Sequence, residues 1–342
     1  MNGAGPQPGA VPEFAAVDAA RFRETIRPTG RPAVMRGLAA DWPLVAAGRH
    51  GGAGLREALG AAYSGAPIHA FRAEPAAGGR LHYTDRLDAL NFRREQTRLD
   101  TLLDELVAQA GSPSADTLYA GSLPLPVIAP AIAAANRLDG FIHAETVLHS
   151  LWLGTKARVG VHYDQTENIA VVVAGRRRFT LFPTQCLNDL YFGPLDLTPA
   201  GQPVSLVDVA APDFDRFPRY AQALGHAQVA ELGPGDALYL PALWLHGVEA
   251  LDPINALVNF WWTAAPPWFG NPFHTLLHAL LSLGSLPQAE RDRWRAVFEY
   301  WVFRSDGGGP GHLDAAALGL AGPLDREGAT RLRAILAQAF SA

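Results

Sequence analysis

Short stretches in which apolar and polar residues alternate fill the chain between about residues 149 and 263. They are 157–162, 168–173, 178–182, 228–232, 237–240, 246–249 and 256–262, separated by segments rich in Gly, Pro and Asp. A period of two is typical of β-strands that turn one face to a core. Many short strands of this kind favour a sandwich or barrel, and a double-stranded jelly roll fits best. The turn at Ala174-Gly175 predicts a hairpin between 168–173 and 178–182.

Elements of other kinds flank this β-rich region. Before it, the spacing of apolar residues predicts helices at 18–26, 54–59 and 101–108 and extended segments at 31–38, 68–71, 81–84 and 117–120. Pro124, Pro126 and Pro130 argue against regular structure after these elements. Beyond Pro272 the spacing becomes helical again, which predicts helices at 273–283, 288–303 and 326–340.

These patterns predict a mainly β protein, in which a double-stranded β-helix (jelly roll) has flanking N-terminal α/β elements and C-terminal helices. We expect one domain over residues 13–272, a helical region over 273–342, and a flexible tail rich in Gly, Pro and Ala over 1–12. Large apolar residues in 288–303, such as Trp301, exceed the needs of a lone surface helix. They cover the barrel or meet a second subunit, and we expect a homodimer built by these C-terminal helices.

Composition excludes several classes of protein. The formal net charge is −5 with acidic and basic residues interspersed, so no basic stripe favours nucleic acid as a partner. No apolar run approaches the roughly 20 residues of a transmembrane helix, and Met1–Pro12 does not have the pattern of a signal peptide. The single cysteine, Cys186, excludes an intrachain disulfide and fits a reducing compartment, which predicts a cytoplasmic protein. Little Lys beside abundant Ala, Gly, Pro and Arg is typical of a GC-rich bacterial genome.

The triplet His162-Tyr163-Asp164 ends one alternating stretch, and His246 begins another. Residues i and i+2 of a strand point to the same face, so His162 and Asp164 can converge on one point. A distant strand must then bring His246 to the same place. Two histidines and one carboxylate on one face of a metal form the ligand set of non-haem Fe(II) oxygenases. The triplet alone is weak evidence, and the surrounding residues decide its meaning.

Polar residues within the apolar strands leave two alternatives open. If Arg177 faces the interior, its buried guanidinium requires a carboxylate, which a dicarboxylate co-substrate would supply. Alternatively, Arg176, Arg177 and Arg178 all lie in solvent at the strand end. Asn168 and Asn259 suggest a polar pocket inside the barrel, although the residues alone favour a purely structural role for two buried, satisfied amides.

Several motifs follow one another in an order and spacing that belong to a known family. They are His162-Tyr163-Asp164, Asn168, Gly175-Arg176-Arg177-Arg178-Phe179-Thr180-Leu181-Phe182-Pro183, Gly235-Asp236-Ala237-Leu238-Tyr239-Leu240-Pro241, Trp244-Leu245-His246 and Val258-Asn259-Phe260-Trp261. With these motifs the chain resembles the cupin-like branch of the JmjC oxygenases, and among them the asparaginyl hydroxylase that inhibits hypoxia-inducible factor. The resemblance covers residues 119–262 well and extends loosely to residues 31–42.

The resemblance implies that His162, Asp164 and His246 hold Fe(II). It also implies that 2-oxoglutarate chelates the metal through its keto-acid end. The far carboxylate of this co-substrate would be held by Arg177, at a position where the asparaginyl hydroxylase has a lysine. Tyr119 would donate a hydrogen bond to the same carboxylate.

Further positions match the family less directly. Asn168 and Asn259 correspond to family asparagines near the metal and the co-substrate, and Trp261 corresponds to an aromatic residue beside the site. The family threonine that helps to hold 2-oxoglutarate aligns with Val159, so one hydrogen bond is lost. The irregular segment Leu195–Pro218 is predicted to be a surface loop, which could lie over the site.

The function implied by the resemblance is that of a 2-oxoglutarate-dependent dioxygenase. It would hydroxylate a protein or peptide side chain or a small molecule and release succinate and CO2. One alternative is a non-catalytic cupin-type binding protein, and another is a cupin isomerase or metal store. A hydroxylase of a modified tRNA base is a further alternative, which the acidic net charge disfavours.

Overall fold

In a computed structural model, which describes residues 7–112, 114–199, 201–303, 312–313 and 317–340, the chain forms two compact units. The first comprises residues 1–263 and the second residues 264–342, so the boundary precedes the one predicted at 272/273. Within the described ranges, no helix combines the length and the apolar character that crossing a membrane requires.

The first unit is built on two β-sheets. Its strands are β1 (Gly9–Ala10), β2 (Glu13–Ala15), β3 (Ala33–Arg36), β4 (Ile68–Ala73), β5 (Arg80–Leu81), β6 (Arg93–Thr97), β7 (Thr117–Pro124), β8 (Val147–Gly154), β9 (Arg158–His162), β10 (Glu167–Ala174), β11 (Arg177–Phe182), β12 (Gln228–Leu232), β13 (Ala237–Leu240), β14 (Leu245–Ala250) and β15 (Asn255–Trp262). The larger sheet has the order β2-β3-β13-β10-β15-β8-β7-β4-β6, and the smaller has the order β1-β12-β11-β14-β9-β5. Strands β8 to β15 contribute four strands to each sheet, which confirms the predicted jelly roll.

The predicted hairpin between β10 and β11 is wrong, because these strands lie in different sheets. β10 pairs with β13 and β15, whereas β11 pairs with β12 and β14. The chain crosses between the sheets at Gly175, whose φ is +67° and whose added Cβ would lie 2.5 Å from the carbonyl oxygen of Ile254. Alternation predicts which face a residue occupies, but it does not predict which strand becomes the neighbour.

Helices of the first unit pack against the outer face of the larger sheet. They are α2 (Pro43–Arg49), α3 (Gly51–Ala62), α4 (Leu99–Gln109), α5 (Leu125–Ile128) and α6 (Pro130–Ala135). The short α1 (Ala19–Arg21) has no buried residue, and α7 (Tyr220–Leu224) lies beside the smaller sheet. The expectation of irregular structure around Pro126 and Pro130 was wrong, since each proline lies in the first turn of a short helix. A proline there forfeits no hydrogen bond, because the first amides of a helix have no partner within it.

Three large apolar clusters and one small one stabilise this arrangement. One lies between the larger sheet and its helices, and a second, which includes Phe179 and Leu238, fills the space between the two sheets. A third covers the outer face of the smaller sheet and includes Phe182 of β11 and Tyr220 of α7. Polar side chains that point between the sheets therefore lie in an apolar surrounding.

The N-terminal segment differs from the predicted flexible tail over residues 1–12 where it is described. Gly9 and Ala10 pair in parallel with β12, and Val11 is 2% exposed. Residues 1–6 lie outside the described residues. A composition rich in Gly, Pro and Ala does not indicate that a segment completes the edge of a sheet.

The second unit contains the three predicted helices, α8 (Pro272–Leu283), α9 (Gln288–Trp301) and α10 (Arg326–Phe340). No residue of α8 or α9 is buried. Large apolar side chains are exposed on both helices, with Leu281 at 80% and Trp301 at 53%. The homodimer expected from this feature stays a prediction.

Candidate metal centre

Strands β9 and β14 bring the three predicted ligands together. His162 lies directly opposite His246 in the antiparallel register, and Asp164 follows two residues after β9 ends in His162. The two imidazole centroids are 4.3 Å apart, and Nε2 of His246 is 3.7 Å from Oδ2 of Asp164. One potential ligand atom from each residue lies within 4.8 Å of the other two. The three side chains can therefore share one metal ion on a single face.

Both imidazoles are oriented by the backbone. Nδ1 of His162 donates to the carbonyl of Gly160 at 2.9 Å, and Nδ1 of His246 donates to the carbonyl of Trp244 at 2.8 Å. Each Nε2 therefore keeps its lone pair for a metal. Burial, together with the neighbouring His162, lowers the pKa of His246 to about 4, so this ring is neutral at pH 7. Imidazoles with fixed tautomers are suited to bind Fe(II) or a similar divalent ion.

Two contacts hold the carboxylate ligand. The indole N–H of Trp261 donates to Oδ2 of Asp164 at 3.2 Å, and the amide of Leu243 donates to the carbonyl oxygen of Asp164 at 2.8 Å. Leu243 has a φ of +66°, a left-handed conformation that costs a leucine about 1 kcal/mol or more. Sequence reasoning missed Leu243, since nothing in its residue type indicates this backbone conformation.

The two predicted asparagines lie inside the barrel and contact each other. Asn168 is 5% exposed and Asn259 is 1% exposed, and Nδ2 of Asn259 donates to Oδ1 of Asn168 at 3.4 Å. Oδ1 of Asn259 accepts from the indole N–H of Trp152 at 2.8 Å. The ring of Trp152 also meets Trp261 edge to face, with centroids 5.4 Å apart. A Cβ on Gly121 would lie 2.6 Å from the ring of Trp152, so only glycine leaves room for this indole.

Trp152 is a second site residue that the sequence analysis missed. It contacts Asn259 and Trp261 near the metal ligands and Tyr119 on the other side, where the ring centroids are 6.1 Å apart. Trp152 lies on β8, and because β8 was not predicted as a strand, the face to which this residue points could not be predicted either.

Arg177 faces the interior, which decides between the two alternatives for the arginine run. Its side chain is buried, with the residue 3% exposed. By contrast, Arg176 and Arg178 point outward and pair with Asp252 and Glu231. Neighbouring residues of a strand point to opposite faces. Because Arg176 and Arg178 point to solvent, Arg177 points into the space between the sheets.

The charge of Arg177 is poorly compensated. Among the described residues, no carboxylate forms an ion pair with it, and its Nε has no hydrogen-bond partner. Burial lowers the pKa of the Arg177 guanidinium, and the hydroxyl of Tyr119 partly opposes this effect. Burial also raises the pKa of Tyr119, so that its hydroxyl stays protonated. A buried guanidinium beside a phenol is a site that an anionic group would complete.

Position 159, where the family has a threonine that helps to hold 2-oxoglutarate, offers no hydrogen-bonding group beside Arg177 and Tyr119. Val159 packs against the small cluster that contains Leu81 and Tyr119, and it offers no hydrogen bond. An anion here would be bound by Arg177 and Tyr119 without a hydroxyl at position 159.

Fold and site together define a jelly-roll protein of the cupin type, with two histidines and one carboxylate placed so that they can share a metal ion. A family described as "Cupin-like domain" matches residues 19–267, and the chain belongs to that family. This match and the JmjC relatives that follow confirm the resemblance drawn from the motifs.

Three relatives illustrate the family. The "Lysine-specific demethylase JMJ31" of Arabidopsis thaliana is 26% identical over 271 residues, which cover 72% of this chain and 48% of the relative. The human "HSPB1-associated protein 1" is 36% identical over 115 residues, which cover 33% of this chain and 23% of that protein. The "tRNA wybutosine-synthesizing protein 5" of Gallus gallus is 27% identical over 180 residues, which cover 48% of this chain and 54% of the relative. The chain thus spans about half or less of the length of these relatives.

Proposed function

We propose that the protein is an Fe(II)- and 2-oxoglutarate-dependent oxygenase, foremost a hydroxylase. The observation that carries the proposal is the presence, within one barrel, of three converging ligands and of a buried, unpaired guanidinium. The ligands are His162, Asp164 and His246, and the guanidinium belongs to Arg177. Family membership supports the cofactors, because JmjC relatives are oxygenases that use Fe(II) and 2-oxoglutarate.

The donor set fits Fe(II). Two imidazoles and one carboxylate on a single face leave the opposite positions free, as the facial triad of such oxygenases requires. When bound, iron and 2-oxoglutarate supply the activation of O2 for oxidation of a C–H bond, with release of succinate and CO2. The backbone carbonyls of Gly160 and Trp244 fix the imidazole rings, and the indole of Trp261 fixes the carboxylate of Asp164.

The residues that would hold the far end of the co-substrate lie beside Trp152, on the side away from Trp261. Arg177 and Tyr119 would hold the far carboxylate of 2-oxoglutarate by charge-assisted hydrogen bonds. This pairing offsets the cost of burying the guanidinium, which no carboxylate of the described residues offsets. Asn168 and Asn259 line the interior between this anion site and the metal ligands.

For the substrate, we propose a protein or peptide side chain or a small molecule. The names of the relatives concern lysine demethylation and tRNA wybutosine synthesis, so hydroxylation of a modified tRNA base is a second candidate. The net charge of −5 and the absence of a basic stripe in the sequence disfavour it. A cytoplasmic location, inferred from the single cysteine, and a homodimer through α8 and α9 complete the proposal.

An anaerobic titration tests this function. The metal-free protein receives Fe(II) and then 2-oxoglutarate, and the visible charge-transfer band of the chelate is recorded. We expect a band in the wild type, loss of the band in His162→Ala and a weaker band in Arg177→Ala. Arg176→Ala is the matched control, because this neighbouring arginine points outward and pairs with Asp252.

The competing hypothesis is a cupin without oxygenase activity. It predicts that iron binds while 2-oxoglutarate produces no band and no succinate. That result would reject the oxygenase and leave a binding protein, an isomerase or a metal store. Succinate release in the presence of candidate substrates then separates hydroxylation of side chains from hydroxylation of small molecules.

A further inference from the structure

The strand that carries His162 has an unusual outer edge. β9 lies between β14 and β5, but β5 pairs only with Arg158 and Val159 and ends before the metal ligand. The next stretch of this edge is covered by a different segment. The amide of Ser205 donates to the carbonyl of Val161 at 2.7 Å, one residue before His162.

Ser205 is itself firmly held. It is fully buried, its hydroxyl donates to the carbonyl of Leu190, and the same oxygen accepts from the amide of Val207 at 3.1 Å. The carbonyl of Ser205 lies 2.9 Å from Nε2 of His82, which is 5% exposed. Nη2 of Arg80 is 3.2 Å from the same nitrogen, but the contact with Ser205 is shorter, and since a carbonyl only accepts, Nε2 of His82 donates in it.

The same residues pack against the backbone that orients the imidazole of His162. A Cβ on Gly160 would lie 3.3 Å from Cβ of Val204 and 3.5 Å from Cδ2 of His82, so these side chains lie directly against Gly160. The carbonyl of Gly160 accepts the hydrogen bond from Nδ1 of His162. A shift of His82 or of Ser205 would therefore move the peptide that sets the direction of this ligand.

We infer that His82 and residues 204–207 are positioning elements that clamp the His162 strand. Residues 204–207 belong to Leu195–Pro218, the segment that the sequence suggested as a loop over the site. At these residues the segment is fixed to the ligand strand and buried, unlike a cover that opens and closes. The inference rests on the proposed function in one respect, because it assigns a metal to the site that the clamp supports.

The first test compares Fe(II) dissociation constants under anaerobic conditions, well below the unfolding temperature. His82→Leu removes the donor to Ser205, and His82→Gln retains an N–H at a similar reach. We expect His82→Leu to bind Fe(II) at least about 10-fold more weakly, as do other changes to residues that orient metal ligands. His82→Gln should bind within about 3-fold of the wild type, because it restores the hydrogen bond.

A matched control separates positioning from general packing. His149 is another largely buried histidine whose pKa burial lowers to about 4, but it stacks on Phe260 and contacts no residue of the clamp. His149→Leu should leave Fe(II) affinity unchanged. Equal affinities in His82→Leu and the wild type would overturn the inference, as would equal losses in His82→Leu and His149→Leu or a failure of His82→Gln to restore binding.

The second test has a readout that can be measured in the metal-free protein. Hydrogen exchange of the Ser205 amide should be slow in the metal-free protein and should not change when Fe(II) and 2-oxoglutarate are added. Fast exchange that becomes slow with these ligands would indicate a closing cover and reject the clamp. If the wild type binds no Fe(II), the proposed function fails, while this exchange measurement still decides whether the segment is a fixed part of the strand.

Discussion

Replacing Arg177 with methionine should make the ligand-free protein more stable and, at the same time, insensitive to 2-oxoglutarate. The guanidinium is 3% exposed, its Nε is unpaired, and Tyr119 is the group that partly compensates its charge. Exchange of buried ionic groups for apolar side chains of similar volume is often stabilising by about 1–4 kcal/mol. For a unit of this size that corresponds to a rise in the unfolding temperature of roughly 2–7 °C.

When 2-oxoglutarate is added, the wild type rather than Arg177→Met is expected to gain stability. A ligand at 100 times its dissociation constant stabilises the folded state by about 2.7 kcal/mol. Wild-type protein with Fe(II) should gain this increment when 2-oxoglutarate is added anaerobically. Arg177→Met should gain almost nothing, because loss of one partner of a buried charge pair weakens binding by about 2–5 kcal/mol.

Thermal unfolding monitored by circular dichroism, with and without 2-oxoglutarate, measures both effects in one experiment. Arg176→Met is the control, since its exposed pair with Asp252 should change stability by no more than about 0.5 kcal/mol. The reasoning is refuted if Arg177→Met is less stable than the wild type and still responds to 2-oxoglutarate.

Arg177→Lys introduces the residue that the asparaginyl hydroxylase has at this position. This variant should respond to 2-oxoglutarate more weakly than the wild type, because the ammonium group is a point charge and lacks the planar, bidentate geometry of the guanidinium.

Three further predictions follow from other contacts. Trp152→Phe leaves Oδ1 of the buried Asn259 without its donor, so the free energy of unfolding should fall by about 1–3 kcal/mol and the 2-oxoglutarate band should weaken; an unchanged band would contradict the assigned contact. Burial lowers the pKa of His149 to about 4, so the unfolded chain takes up a proton that the folded chain does not, and stability falls as the pH drops from about 6.5 toward 4. In His149→Leu the slope of unfolding free energy against pH should decrease by up to about 1.4 kcal/mol per unit, whereas an identical slope would show that this ring titrates normally. Light scattering at micromolar concentration should give a dimer mass, and Leu281→Glu with Trp301→Glu should give a monomer mass, while a monomeric wild type would remove the proposed interface.

Much of the jelly roll and the approach of the three ligands could be predicted from sequence because both depend on local periodicity. Alternation predicted that His162 and Asp164 converge from one strand; their ligand atoms do converge, although β9 ends at His162, and a second alternating stretch supplied His246. The same reasoning failed for the predicted hairpin, since strand neighbours in a jelly roll are distant in sequence. Gly175 marked a turn correctly, yet a turn does not show whether the chain returns to the same sheet or crosses to the other.

Other site features required the three-dimensional structure. The interior direction of Arg177 follows from burial, which the sequence left undecided against a solvent-exposed position. Leu243 reaches Asp164 through a backbone conformation that leucine seldom adopts, so its residue type could not reveal it. Trp152 contacts Tyr119 on one side and Asn259 and Trp261 on the other, but this depends on the space beside Gly121, which lies on a neighbouring strand.

The pairing of β1 with β12 has a practical consequence for anyone who shortens the chain. Gly9 and Ala10 cover the backbone of Gln228 and Val229 at the rim of the smaller sheet. A truncation that begins after residue 12 would uncover these amides and carbonyls, and an unprotected rim of this kind recruits strands from other molecules. Such a shortened protein would self-associate through its β-sheet even if α8 and α9 were redesigned to be fully polar.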